Sequence, residues 1–327
     1  MSGDARRSSS VWQRGLLWLE AQSSHFALPR GPLDPDALFP LKVLSELGRV
    51  VEVLARSRAL PADDAERVAS LLRFAWRELD SGRVFAERLA LRPYPVLGSM
   101  YATFERQGFS HPETRTLLAR LGSSAGVRST DFPRRPFETV EPSAFGADAP
   151  AVLGLGLALA WRQMNLTGPW SVERLLPRTR LGQLPEVAAL SDAEAYSLTH
   201  VVFFVTDFGE RPEALPEACR AYLRARVPAW LDAQRRAANL DLYAELAATL
   251  ACAGDALPGE VEEVLHAAQA ADGSLPGPVA RSSQRRTGVV GDAVDAERRF
   301  FLANYHTTLA GILASFAATV GLVRRPD

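Results

Sequence analysis

Apolar residues recur at i, i+3, i+4 and i+7 in many windows of this 327-residue chain, whereas the alternation typical of half-buried strands hardly occurs. The pattern therefore predicts an almost entirely α-helical protein. Six apolar segments carry little charge and begin about 45 to 65 residues apart. These segments span residues 40–54, 95–106, 150–163, 195–207, 241–253 and 304–318.

Amphipathic segments that carry more charge lie between these six. They cover residues 63–79, 112–121, 170–176, 214–237 and 259–270. A helical toroid requires this alternation, because its inner helices are shielded on most sides while each outer helix exposes one stripe to water. We therefore predict an all-α fold, a single (α/α)6-like toroid over residues 11–327 that follows a disordered tail over residues 1–10.

Two long stretches do not fit a helical pattern. Residues 122–149 are rich in proline and in small turn residues, and residues 273–299 are rich in glycine, serine and arginine. Loops of this length within a compact domain are usually functional or disordered. The second stretch leads directly into Tyr305 and His306, so we predict that it is the better candidate for a lid.

Composition narrows the classes of partner. The net charge is -1, and basic and acidic residues are scattered along the chain, which gives no footprint for nucleic acid or an anionic membrane. No apolar run reaches the roughly 18 to 20 residues of a membrane span.

Cys219 and Cys252 lack paired spacing and are expected to be reduced core thiols, which favours a cytoplasmic location. Arginine supplies nearly all positive charge, since Lys42 is the sole lysine, and this composition suggests a bacterial source.

Candidate chemistry is concentrated in three short segments, residues 198–200, 241–245 and 305–308, each at the start of an apolar helix-like run. They contain two of the five histidines and two carboxylates. If the runs are inner helices of one toroid, these side chains enter one cavity. The four residues are His200, Asp241, Glu245 and His306.

Each of these residues also has a purely structural interpretation. His306 could cap its helix, and Asp241 suits a helix N-terminus for reasons of capping and dipole alone. Glu245 is harder to explain in this way, because an unpaired carboxylate is costly to bury. Helical spacing places Asp207 on the side of His200, about two turns away, so the two could share a wall. A carboxylate near a helix C-terminus opposes the macrodipole, and Asp207 should therefore have a specific partner.

Two motifs resemble those of known α/α toroids. The turn Gln269-Ala-Ala-Asp272-Gly-Ser274 resembles the Gln-x-x-Asp-Gly-Ser turn of terpene cyclases and protein prenyltransferase β subunits. The segment from Tyr305 to Gly311 resembles the one that carries the zinc-binding histidine of those β subunits. The resemblance implies a helical toroid with His306 and Asp241 at the mouth of its cavity. The chain is also similar to a group of actinobacterial proteins, which implies no activity.

The resemblance fails at positions that matter for chemistry. In the prenyltransferases a cysteine ligand follows the metal-binding aspartate by two residues, and Tyr243 stands at that position here. Thiol prenylation is therefore not implied. The Asp-x-Asp-Asp and Asp-Asp-x-x-Asp motifs of terpene cyclases are missing from the sequence as well, which argues against terpene cyclisation.

Our leading hypothesis is an enzyme that binds one divalent metal, Zn²⁺ or Fe(II), through His200, His306 and either Asp241 or Glu245. The carboxylate that does not bind the metal could act as general base, and a tyrosine could donate a proton. The residues proposed for catalysis are Glu245, Tyr305 and Asp207, with Tyr196 and Tyr243 as alternative hydroxyl donors.

An apolar wall containing Phe203 and Phe204 favours a hydrophobic small molecule as the substrate, in a biosynthetic pathway by analogy with the fold. Two alternatives stay open. The same residues without metal could transfer protons in an isomerisation, cyclisation or elimination, or the chain could be a non-catalytic protein that binds a ligand or partner. A homo-oligomer is also compatible with the sequence.

Overall fold

A computed structural model describes residues 9–29, 38–123, 146–186, 190–278 and 293–322. Within these ranges the chain forms fifteen α-helices and no strand, which confirms the all-α prediction. The helices are α1 (Val11–Ala21), α2 (Ser23–Phe26), α3 (Phe39–Ala55), α4 (Ala62–Glu78), α5 (Arg83–Leu91), α6 (Val96–Glu105), α7 (Pro112–Ser123), α8 (Ala149–Gln163), α9 (Val172–Leu175), α10 (Arg180–Gln183), α11 (Asp192–Val205), α12 (Glu217–Ala237), α13 (Leu240–Cys252), α14 (Val261–Ala268) and α15 (Ala293–Thr319).

The six helices that contain the low-charge segments contact one another in a closed cycle. In chain order they are α3, α6, α8, α11, α13 and α15; each packs on the next, and α15 returns to pack on α3. More charged helices cover this cycle, since α4 packs on α3, α12 on α13 and α14 on α15. A closed cycle of inner helices is what an (α/α)6 toroid requires, and the toroid stays our interpretation of these contacts.

Two inner helices begin earlier than the apolar pattern predicts. Ser191 and Glu194 form a reciprocal capping box at the start of α11, so His200 lies in its third turn. Helix α15 begins at Ala293, which places His306 near the middle of the helix and not at its opening. The loop predicted for residues 273–299 is therefore wrong over residues 293–299, which form the charged first turns of this helix. The rest of the proposed lid, residues 279–292, lies outside the described residues, as do residues 124–145 of the other long stretch and residues 1–8 of the predicted tail.

The turn between α14 and α15 attaches α15 to its neighbours. Ser274 donates to Asp272 Oδ1 from both its backbone N–H (2.9 Å) and its hydroxyl (2.7 Å). Gly273 has a φ of +96°, and a Cβ there would lie 2.4 Å from the carbonyl oxygen of Arg14. The next residue, Leu275, donates its N–H to Thr308 Oγ1 at 2.9 Å. The Gln-x-x-Asp-Gly-Ser turn thus binds α1 on one side and the His306 region of α15 on the other.

Contacts between side chains show that four of the inner helices run in the same direction. The N-terminal halves of α3, α11 and α13 meet around the middle of α15, whereas the C-terminal ends of α3, α6, α8 and α11 meet at the other end of the cycle. Polar and charged side chains therefore gather at two separate ends of the same set of helices. Within the described part of the chain, none of the helices is both long enough and apolar enough to cross a membrane.

Candidate functional site

The N-terminal end of the cycle holds a buried group of carboxylates and imidazoles. Asp241 and Glu245 are four residues apart on α13 and face His306 from α15. One potential ligand atom from each of these three side chains lies within 4.8 Å of the others. The carboxylates are buried, while about a third of the His306 side chain (34%) is exposed. The group is therefore reachable from solvent through the imidazole. We call Glu46, Tyr196, His200, Asp241, Glu245 and His306 the acid–histidine cluster.

Asp241 is surrounded by donors. Its Oδ1 lies 2.8 Å from His306 Nδ1 and accepts from Thr307 Oγ1 at 2.8 Å, while its Oδ2 accepts from the Tyr196 hydroxyl at 2.5 Å. Burial alone would raise the pKa of Asp241, but His306 and the hydroxyl donors lower it to about 2. Burial would likewise lower the pKa of His306, but Asp241 raises it to about 10. In the absence of a cation the two side chains form a carboxylate–imidazolium pair.

Glu245 has the opposite character. Its Oε2 accepts from Thr199 Oγ1 at 2.5 Å, and its Oε1 lies 3.7 Å from His306 Nε2. Burial raises the pKa of Glu245 to about 7, and Asp241 adds to the rise while His306 opposes it. A carboxyl group that titrates near neutral pH can give or take a proton under physiological conditions, as a general acid or base must.

His200 lies beside Glu245 and is held by its own helix. Its Nδ1 is 2.9 Å from the backbone oxygen of Tyr196 and 3.6 Å from Glu245 Oε2. Burial lowers the pKa of His200 to about 4, with a further contribution from His306, so the ring is neutral. The rings of Phe203 and Phe204 each lie 5.8 Å from it. The structure thus brings together all four of the residues from the three predicted segments.

Helix α3 contributes charged groups that the sequence reasoning missed. Glu46 Oε2 accepts from the Tyr305 hydroxyl at 3.1 Å, and Glu46 Oε1 lies 2.5 Å from Lys42 Nζ. Burial would raise the pKa of Glu46, but Lys42 and His306 lower it. The available signal was an acidic residue in the middle of a low-charge segment, four positions after the sole lysine. Tyr305 therefore contacts Glu46, and the hydroxyl beside Asp241 comes from Tyr196.

The structure does not bring Asp207 to this cluster. Asp207 follows α11, has a φ of +53°, and lies among arginines at the opposite end of the cycle. Its side chain accepts from Arg106 and from Gln163 at 2.8 Å each, and its backbone oxygen accepts from Arg56 at 2.7 Å. These are the specific partners that a carboxylate at a helix C-terminus requires. The expected shared wall with His200 is absent because Asp207 turns toward the arginines of α3, α6 and α8.

The remaining predicted donor also points elsewhere. Tyr243 is buried on α13, and the charged groups that affect its pKa are Glu260 and Arg235, on the side of α12 and α14. Burial raises its pKa to about 12, so the hydroxyl stays protonated. Tyr196 is accordingly the one of the three proposed tyrosines that contacts the Asp241 carboxylate among the described hydrogen bonds.

Comparison with known proteins places the chain in a family without assigning a reaction. The chain belongs to the family described as a domain of unknown function (DUF6895), whose model matches residues 12–316. That match includes every residue of the acid–histidine cluster. Neither the curated proteins nor the solved structures give a match to this chain.

Proposed function

We propose that the chain is a metal-dependent enzyme that binds one divalent cation at Asp241, Glu245 and His306. The observation that carries this proposal is the approach of their ligand atoms to within 4.8 Å of one another in a largely buried site. Carboxylate oxygens and an imidazole nitrogen suit both Zn²⁺ and Fe(II). Compared with the hypothesis from sequence, Glu245 takes the ligand position given to His200, because Glu245 and not His200 belongs to this group of mutually close ligand atoms.

The charge of the cluster supports the same proposal. Asp241, Glu245 and Glu46 all act on the pKa of His306, and each raises it. Lys42 already pairs with Glu46, and the two remaining carboxylates beside one imidazole favour additional positive charge, which a proton on His306 or a divalent cation can supply. Cation binding should therefore displace the proton from His306, and metal affinity should fall as the pH falls.

The proposed chemistry uses the residues around the cation. A bound divalent metal would supply Lewis acidity or a hydroxide for hydrolysis or elimination. His200 is neutral at physiological pH and could accept a proton, and the Tyr196 hydroxyl orients Asp241. Phe203 and Phe204 flank His200 and suit a hydrophobic small molecule as substrate.

One observation favours a second candidate, acid–base catalysis without metal. Both oxygens of Asp241 already have partners, namely Tyr196, Thr307 and His306. A fully hydrogen-bonded carboxylate of this kind orients an imidazole, and the other nitrogen of that imidazole faces Glu245. His306 and Glu245 could then transfer protons in an isomerisation or elimination.

Metal analysis separates the two candidates. Protein is purified without added metal, reconstituted with Zn²⁺ or with Fe(II) under anaerobic conditions, dialysed, and measured by inductively coupled plasma mass spectrometry. We expect about one metal ion per chain, and affinity at least tenfold weaker in Glu245→Gln and His306→Ala. His266→Ala is the matched control, because this histidine is exposed on α14, and it should bind metal normally.

Wild-type protein that stays free of metal after both reconstitutions would exclude the metal centre. In that case, a Glu245 carboxyl that titrates near pH 7 by infrared difference spectroscopy would favour the acid–base candidate. If the carboxyl instead titrates near its ordinary pKa, both candidates lose their support.

A further inference from the structure

Arginine side chains gather at the C-terminal ends of α3, α6, α8 and α11, the opposite end from the acid–histidine cluster. Asp207, Glu210 and Glu52 supply the carboxylates there, and all three are buried. We call these carboxylates, together with the arginines around them, the arginine cluster. Its arginines are Arg49, Arg56, Arg106, Arg162 and Arg211.

Guanidinium groups outnumber carboxylates among the described residues of this cluster. Five guanidinium groups face three buried carboxylates. A fourth carboxylate, Glu213, reaches Arg211 from the exposed side at 3.3 Å. The C-terminal dipoles of four helices add roughly half a negative charge each, so individual guanidinium groups, and not the net charge of the cluster, would hold an anion. Burial lowers the pKa of Arg49 to about 10 and also lowers that of Arg162, which is the direction expected of guanidinium groups crowded into a partly dry site.

The cluster lines a cavity of about 250 Å³ that is open to solvent, with walls formed by Arg106, Arg162, Gln163, Asp207 and Arg211. A water molecule occupies about 30 Å³ of liquid, so the cavity has room for a small polyatomic ion. The Asp207 carboxylate lines the cavity, but its oxygens are already bound by Arg106 and Gln163 at 2.8 Å. The Asp207 carboxylate therefore holds Arg106 and Gln163 in place, and these two donors reduce its repulsion of an anion.

Two of the lining arginines retain donor capacity toward the cavity. Arg162 approaches Asp207 at 3.4 Å, a long contact, and 34% of its side chain is exposed. Arg211 has Glu213 as its carboxylate partner, and 40% of its side chain is exposed. A planar guanidinium presents five donors in a fork that matches the oxygens of phosphate and carboxylate groups. The guanidinium groups of Arg162 and Arg211 line the same polar cavity and together could donate several hydrogen bonds to one oxyanion.

We propose that this cavity binds a small oxyanion, a phosphate or carboxylate group, between Arg162 and Arg211. The anion pairs with these two guanidinium groups and links the ends of α8 and α11. The site is separate from the acid–histidine cluster, so this proposal does not rest on the proposed function.

Thermal unfolding of the full chain tests the proposal. Inorganic phosphate, succinate and chloride are compared at equal ionic strength, and dissociation constants are then measured by isothermal titration calorimetry. We expect phosphate or succinate to raise Tm by about 5 °C at saturation relative to chloride. The anion that binds more tightly identifies the phosphate or the carboxylate as the ligand chemistry. If neither raises Tm beyond chloride, the proposal is overturned.

Variants distinguish this cavity from general binding of anions to basic residues. Arg162→Gln and Arg211→Gln should each weaken the binding of that anion at least tenfold. Arg224→Gln removes an exposed arginine of α12 that pairs with Asp255, and it should leave binding unchanged. Glu213→Gln keeps the cavity intact and removes a competitor for Arg211, so it should bind the anion more tightly. Equal affinity in all four variants would contradict the assignment.

Discussion

The two ends of the inner helices satisfy their buried carboxylates in different ways. In the arginine cluster, guanidinium groups are the partners: Glu52 binds Arg56 through two contacts of 2.5 and 2.9 Å. In the acid–histidine cluster, hydroxyl groups supply much of the hydrogen bonding. Tyr196 and Thr307 serve Asp241, and Thr199 serves Glu245. Arginines therefore neutralise the carboxylates at one end, whereas the other end combines the Asp241–His306 ion pair with hydroxyl donors.

This difference decides which end can perform proton chemistry. Burial would raise the pKa of Asp207, but Arg56 and Arg106 lower it, so this carboxylate stays ionised. Burial raises the pKa of Glu245 to about 7, and the hydroxyl of Thr199 is too weak a partner to reverse the shift.

A cationic partner, arginine for Asp207 and His306 for Asp241, keeps a carboxylate ionised. Glu245 accepts a hydrogen bond from a hydroxyl and stays able to titrate. The arginine end is thus suited to stability and anion binding, and the histidine end to metal or proton chemistry.

Removing charge from the arginine end should have the largest effect. Asp207→Asn leaves several buried guanidinium groups without their shared carboxylate, and we expect a loss of about 3–5 kcal/mol in the free energy of unfolding. Asparagine tolerates a positive φ as aspartate does, so the change isolates the charge. Urea unfolding followed by circular dichroism measures the loss.

An exposed ion pair provides the control for this experiment. Asp232 pairs with Arg235 and Arg236 on the surface of α12, and Asp232→Asn should cost far less than Asp207→Asn, because solvent screens an exposed ion pair. If Asp207→Asn lowers the free energy of unfolding no more than this control does, the ionised Asp207 carboxylate does not stabilise the folded chain.

Titration of Glu245 should have an intermediate effect on stability. Its pKa rises from 4.5 to about 7 on folding, so between these values Glu245 binds more protons in the folded chain than in the unfolded chain. In the absence of metal, its contribution to stability should therefore fall by about 2 kcal/mol as the pH rises from 4.5 to 6.5. Glu245→Gln carries no titratable group at this position, so the stability of the wild type relative to Glu245→Gln should fall by that amount. Urea unfolding in EDTA at several pH values measures it.

One neighbouring group acts within this pH window, and two act outside it. The pKa of His200 drops from 6.5 to about 4 on folding, so its contribution to stability rises with pH over the same range by a similar amount. The difference between the wild type and Glu245→Gln is therefore the quantity to compare. The pKa of Asp241 drops to about 2 on folding, so its contribution is lost as the pH falls from 3.8 toward 2. The pKa of His306 rises to about 10, so its contribution is present below pH 6.5 and is lost as the pH rises toward 10. A difference in stability between the wild type and Glu245→Gln that stays constant from pH 4.5 to 6.5 would contradict the assignment to Glu245.

Loss of one hydroxyl from the histidine end should have the smallest effect. Thr307→Val removes one of the donors to Asp241 and should cost about 1–2 kcal/mol, because the carboxylate keeps Tyr196 and His306. Thr249→Val is the matched control, since Thr249 Oγ1 donates to a backbone oxygen of its own helix and should cost less. Equal losses in differential scanning calorimetry would show that the hydroxyl of Thr307 does not stabilise the Asp241 charge.

Much of the helical framework was predictable because burial leaves a periodic trace in the sequence. The six low-charge segments correspond to α3, α6, α8, α11, α13 and α15, and His200, Asp241, Glu245 and His306 lie in one group. The sequence placed the start of α15 too late. Residues 293–303 mix charged and apolar side chains, and such a composition is found in loops as well as in the exposed parts of helices. The short helix α5 was missed for the same reason.

The sequence by itself determined the helical class, the six apolar segments and four residues of the acid–histidine cluster, because periodicity and polar side chains within apolar runs are local properties of the chain. Only the tertiary structure decided the partners. Asp207 follows the helix that carries His200, yet it binds arginines from three other helices, while Glu46 joins His306 from the far end of the chain. The pKa of a buried carboxylate depends on which groups surround it in space, and that information is absent from the spacing along a single helix.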